Sequence, residues 1–121
     1  MTSDFFAITA PGSANRAFAV LDDLMARVGV DGLTAALANP GLLAVVDQHA
    51  AAVRESVRRS GRVLDADSLA GYATSVTAAV HRSGRELPEP GEAERVDWTR
   101  ADWHLIRLAA VCAIAEEYGW L

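Results

Sequence analysis

Apolar residues recur at helical spacing along most of the chain, and no segment alternates with the period that marks a half-buried strand. The pattern predicts an all-α fold, a single-domain helical bundle of four main helices and one short helix. Four main helices are predicted over residues 13 to about 28, 40 to about 60, 65 or 67 to 84, and 99 to 118. The short helix follows the first of these and is expected to be capped by Asp31.

Capping residues and glycines set the ends of these helices. Asn39 before Pro40 is a strong start signal, because asparagine accepts an orphan backbone N–H and proline has none to satisfy. Ser13 is the expected cap of the first helix and Thr99 that of the last. The glycines expected to end helices are Gly29, Gly61, Gly84 and Gly119.

The last helix is apolar on nearly every side. Its two apolar stripes consist of Trp103, Ile106, Ala110, Ile114 and of Leu105, Leu108, Cys112, Ala115. Such a helix must be surrounded, so we expect it at the centre of the bundle or against a partner. Asp102, His104 and Arg107 are too costly in lipid for a membrane span.

The rest of the chain completes one domain over residues 1–121. Residues 1–12 are expected to form an irregular N-terminal arm, and 84–97 a crossover loop to the last helix. The first residues lack the basic and long apolar stretches of a signal peptide, so the cytoplasm is the expected compartment.

Composition narrows the class of function. All 11 basic residues are arginines, the formal net charge is −5, and there is one cysteine. The acidic balance disfavours nucleic acid as the main partner, and a lone cysteine excludes an internal disulfide and a cysteine-based zinc cage. A basic stripe from Arg54 to Arg62 is interpreted first as a solvated face.

Two histidines are candidates for a ligand site. His49 borders the apolar face of its helix and His104 lies on the last helix, so facing helices could form a pocket from them with Arg107 and Tyr72. The simpler interpretation of His49 is a boundary histidine bonded to a neighbouring helix. Neither histidine has metal-motif spacing, and Cys112 in apolar company is not a nucleophile. We therefore expect no metal, no cofactor and no catalytic residues.

Aromatic residues at both ends of the last helix suggest a contact surface. Trp98, Trp103 and Trp120 either seal the core or anchor an interface, where tryptophan is enriched. Together with Phe5 and Phe6 of the arm, they form the expected partner interface.

Three stretches resemble a known family: Asp4-Phe5-Phe6, the run from Pro40 to Arg54, and the run from Asp97 to Leu108. They are similar to small actinobacterial proteins of unknown function that are encoded in natural-product biosynthesis clusters. The similarity extends over nearly the whole chain. This resemblance implies that the protein is a small companion of a larger enzyme, including enzymes that build aziridines. It provides no catalytic motif that could be assigned to residues of this chain.

Three functions remain open. The first is a non-catalytic accessory subunit that binds and stabilises a larger biosynthetic enzyme, or a homodimer that uses the same surface. The second is a small enzyme or ligand-binding protein with a pocket at His49 and His104. The third is a DNA-binding regulator, although the last helix is too apolar for a recognition helix.

Overall fold

The computed structural model describes residues 9–92 and 96–121, and within them it contains helices and no strands. The elements are α1 Thr9–Leu24, a π-helical segment Met25–Gly29, α2 Val30–Ala38, α3 Pro40–Arg59, α4 Ala66–Arg82 and α5 Trp103–Glu117. The predicted all-α bundle is confirmed. Phe5 and Phe6 of the predicted arm lie outside the described residues.

The last helix, α5, lies at the centre. It contacts α1, the π-helical segment, α2, α3 and α4. Its side chains at Leu108, Val111 and Ile114 are fully buried. The other helices of this chain therefore bury the apolar surface of α5, and α5 needs no partner for that purpose.

The chain remains helical through Gly29, where the sequence predicts a stop. Gly29 has a φ of −77°, which is helical, whereas Gly61, Gly84 and Gly119 have the positive φ of helix-ending glycines. A Cβ at Gly29 would lie 2.9 Å from the sulfur of Cys112. This glycine therefore allows α5 to approach closely, and the π-helical segment carries the chain directly from α1 into α2.

Two predicted helix starts are also wrong, because both helices begin earlier in the chain than the capping residues indicate. α1 already includes Thr9, so Ser13 lies inside it and residues 9–12 do not belong to an irregular arm. Pro11 fits there because a proline in the first helical turn sacrifices no intrahelical hydrogen bond. Asp31 lies in the first turn of α2 and does not cap it.

The starts of the later helices follow the capping chemistry of the sequence, with one change. The side chain of Asn39 accepts a hydrogen bond from Leu42 N at 3.1 Å, as predicted. Thr99 does not cap α5, because its hydroxyl donates to Asp97 at 2.6 Å. Asp102 is the cap and accepts from the backbone N–H of His104 at 2.9 Å. A carboxylate there also meets the positive end of the helix dipole.

Candidate functional site

Three of the four predicted ligand-site residues meet between α3, α4 and α5. Arg107 of α5 donates from Nε to Nδ1 of His49 on α3 at 2.9 Å. It also donates from Nη1 to the hydroxyl of Tyr72 on α4 at 2.6 Å. We call His49, Tyr72 and Arg107 the arginine cluster. Its members are each partly buried, so the network joins three helices at the edge of the core.

The histidine of this cluster is held in its neutral form. Burial, and then the positive charge of Arg107, lower the pKa of His49 below its ordinary value of 6.5. Because Nδ1 accepts the hydrogen bond from Arg107, the ring proton of neutral His49 resides on Nε2. The net charge of the cluster is therefore that of the guanidinium alone.

No carboxylate pairs with Arg107 among residues 9–92 and 96–121. Its described partners are two neutral groups, His49 and Tyr72, and the ring of Trp103. A guanidinium has five N–H donors, and Nη2 makes none of the hydrogen bonds described for this side chain. Arg107 thus combines partial burial, full charge and spare donors.

Trp103 forms an aromatic wall beside the arginine cluster. The guanidinium carbon of Arg107 lies 5.3 Å from the centre of its ring, within cation–π distance. The indole also stacks on His104, with ring centres 3.9 Å apart, and remains 52% exposed. A bound molecule can therefore contact the indole and the guanidinium together.

His104 neighbours the arginine cluster without joining its hydrogen bonds. Its Nδ1 is buried without a hydrogen-bond partner and lies 3.6 Å from the Asp102 carboxylate. The described contacts of His104 are thus with Asp102 and Trp103, while His49 bonds to Arg107. No bond or ring contact between the two histidines is described.

The sequence gives no sign of Arg85 as a neighbour of this region. Arg85 follows α4 in the loop and forms an ion pair with Asp102, the cap of α5. This pairing balances the carboxylate nearest to His104. Only the folded chain brings the loop to the start of α5, so no spacing in the sequence could indicate the contact.

The predicted interface tryptophans have three different environments. Trp98 is buried against Gly32, and its indole N–H has no described partner. Trp120 is partly buried and stacks on Tyr118, with ring centres 5.0 Å apart. Trp103 is the most exposed of the three.

Other candidate chemistry is not assembled in the described part of the chain. There, no group of three or more His, Cys, Asp or Glu side chains is arranged to hold a metal ion. Burial raises the pKa of the Cys112 thiol to about 12, which keeps it protonated and unreactive at neutral pH. No described helix combines the length and apolar character needed to cross a membrane.

The fold and the site define a small helical bundle protein with a cationic cluster at the edge of its core. Residues 40–121 match the profile of DUF6401, a family of unknown function, and the chain belongs to that family. The matching segment begins with α3 and contains the whole arginine cluster. Comparisons with curated proteins and with solved structures found no match.

Proposed function

We propose that this protein binds a small organic carboxylate at the arginine cluster and performs no chemistry on it. The observation that carries the proposal is the partly buried guanidinium of Arg107, whose described polar partners, His49 and Tyr72, are both neutral. An anion would supply the opposite charge that this site lacks.

The fixed orientation of Arg107 favours a planar anion. His49 and Tyr72 hold the guanidinium through Nε and Nη1, so its remaining donors are positioned before a ligand arrives. A carboxylate can accept two parallel hydrogen bonds from such a fork, and charge-assisted bonds of this kind are among the stronger ones in proteins. Trp103 adds an apolar surface that suits an aromatic or aliphatic acid.

The proposal of binding without catalysis rests on the hydrogen bonds that His49 and Tyr72 make to Arg107. The one acceptor nitrogen of neutral His49 is occupied by Arg107, so the ring must leave this bond before it can take a proton from a ligand. The hydroxyl of Tyr72 accepts from the same guanidinium. Both side chains therefore orient Arg107.

Benzoate is a suitable probe, because it combines a carboxylate with an aromatic ring. We expect it to bind with a dissociation constant of about 1 mM, which corresponds to a binding free energy of about −4 kcal/mol, and to change the tryptophan fluorescence through its contact with Trp103. Arg107→Gln should weaken binding about tenfold or more. Arg107→Lys should weaken it as well, because an ammonium lacks the planar fork.

Arg59→Gln is the matched control. Arg59 is an exposed arginine on α3 that pairs with Glu55, and its loss removes the same charge at a distance from the cluster. Thermal melting of each variant shows whether it is folded. Equal benzoate binding by the Arg107→Gln and Arg59→Gln proteins would mean that the arginine cluster only joins helices.

An accessory role in a biosynthetic complex is the second candidate. The sequence resemblance supports it, and so do exposed apolar side chains such as Leu37, which is 79% exposed. We infer a cytoplasmic companion of a larger natural-product enzyme, with the bound acid as a pathway intermediate. A tagged chain in its native host should retain one enzyme at fixed stoichiometry, and a chain recovered alone contradicts this role.

A further inference from the structure

A groove lies between α2, α3 and the end of α5, away from the arginine cluster. It has a volume of about 290 Å³. Its apolar lining comes from Leu33, Leu37, Leu43 and Val46. Leu37 is 79% exposed and Leu43 37% exposed, so this lining includes leucines that the fold itself does not cover. Burying such side chains against another apolar surface is favourable.

The rim of this groove is acidic. Asp47 of α3 and Glu116 and Glu117 of α5 line it together with the leucines. Glu117 pairs with Arg54 at 2.9 Å. Neither Asp47 nor Glu116 has an ion-pair partner within the ranges that the structure describes. We call this surface the acidic groove.

The position of Glu116 is unfavourable for α5, whereas the charge of Glu117 is balanced by Arg54. The carboxyl end of a helix carries a partial negative charge and is stabilised by cations. The last turns of α3 and α4 follow this rule with Arg58, Arg59, His81 and Arg82. The last turn of α5 contains no basic residue. A cation from another molecule would relieve this repulsion.

We propose that the acidic groove is the docking site for an amphipathic helix of a partner protein, with apolar side chains on one face and basic residues along its borders. A helix laid in a groove between helices inserts its apolar side chains into the lining. Its lysines or arginines would then meet Asp47, Glu116 and the negative end of α5. This inference rests on the accessory role and is independent of carboxylate binding at Arg107.

Charge favours a partner over the two occupants that the chain itself could supply. The segment before α1, residues 1–8, contains Asp4 and no arginine, so its side chains bring no cation to the acidic rim. A second copy carries the same formal net charge of −5 as the chain that it would bind, and on its α3 Arg58 and Arg59 are both bonded to Glu55. A foreign basic helix fits the groove better than either.

A synthetic amphipathic peptide, with leucines on one face and lysines on its borders, tests the inference on the full chain. We expect it to bind and to gain helicity, with an affinity that falls as salt rises. The double change Asp47→Asn and Glu116→Gln should weaken binding about tenfold, because each exposed charge pair contributes a few-fold. Leu37→Glu should abolish binding.

Val63→Glu is the matched control, because Val63 is 77% exposed and is not part of the groove lining. It should bind the peptide as the original chain does, and so should Arg107→Gln. Equal binding of a peptide with glutamates in place of the lysines would overturn the proposal. So would a dimer that Leu37→Glu dissociates, or tighter peptide binding after removal of residues 1–8. If the Leu37→Glu chain retained a natural partner as well as the original chain does, docking at the acidic groove would be refuted. The accessory role would remain supported.

Discussion

The contact from Arg107 Nε to His49 Nδ1 decides how the cluster responds to protons. It requires an unprotonated Nδ1, and burial together with the Arg107 charge lowers the pKa of His49 accordingly. The sequence alone indicates His49, Tyr72 and Arg107 as candidates, because each is a polar residue on a helix near apolar positions. It cannot indicate which of them bond, because that depends on the rotation of α3 and α4 about α5.

Stability should fall when His49 takes up a proton. The unfolded chain binds this proton near pH 6.5, and the folded chain binds it only at lower pH. The stabilisation of the fold by neutral His49 is therefore complete above pH 6.5 and is lost as pH falls through the lowered pKa. In urea unfolding at a series of pH values, His49→Gln should flatten this part of the profile. Equal slopes in the original and His49→Gln chains would contradict the prediction.

The close approach of two helices explains why Gly29 does not end a helix as the sequence predicts. Gly29 and Gly61 both follow helical stretches and have basic residues nearby, but only Gly61 adopts a positive φ. At Gly29 the absence of a side chain makes room for Cys112 of α5. Local sequence shows where a glycine lies and not what packs against it, so the π-helical continuation could not be predicted.

Two glycines in helices should respond to alanine with opposite signs. A Cβ at Gly32 of α2 would lie 2.9 Å from the ring of Trp98 and 3.2 Å from Ala109, whereas Gly71 of α4 has nothing within 4 Å. Gly32→Ala should destabilise the fold by about 1–3 kcal/mol through overpacking. Gly71→Ala should stabilise it by about 0.5–1 kcal/mol through helix propensity. Thermal or urea unfolding measures both, and a neutral Gly32→Ala would show that α2 shifts freely.

At the scale of the whole molecule, the apolar pattern predicts the bundle and its central helix correctly. The pattern leaves open whether this chain or a partner covers α5. That answer depends on α1 and the π-helical segment, which pack on α4 and α5 respectively. The apolar ring of α5 therefore gives no reason to expect a partner, whereas the exposed leucines of the acidic groove do.

The segment that matches the family should not fold alone. A chain of residues 40–121 lacks Leu21, Leu24 and Val28, which are each at most 3% exposed in the core. Each such side chain contributes about 1.5–3 kcal/mol by burial, and the whole fold has a free energy of unfolding of about 5–15 kcal/mol. We expect this fragment to bind a hydrophobic dye and to melt without a sharp transition. A cooperative transition at the melting temperature of the full chain would contradict this dependence.

The burial of Cys112 has a practical consequence for experiments on this protein. Cys112 is 1% exposed and its thiol has a pKa raised to about 12, so alkylating reagents should leave it unmodified while the chain is folded. A cysteine introduced on the surface, for example by Val63→Cys, would then be the one site that takes a dye or spin label. Distances and motions can then be followed with a label at one position of an otherwise unchanged sequence. Labelling of Cys112 in addition would report unfolding.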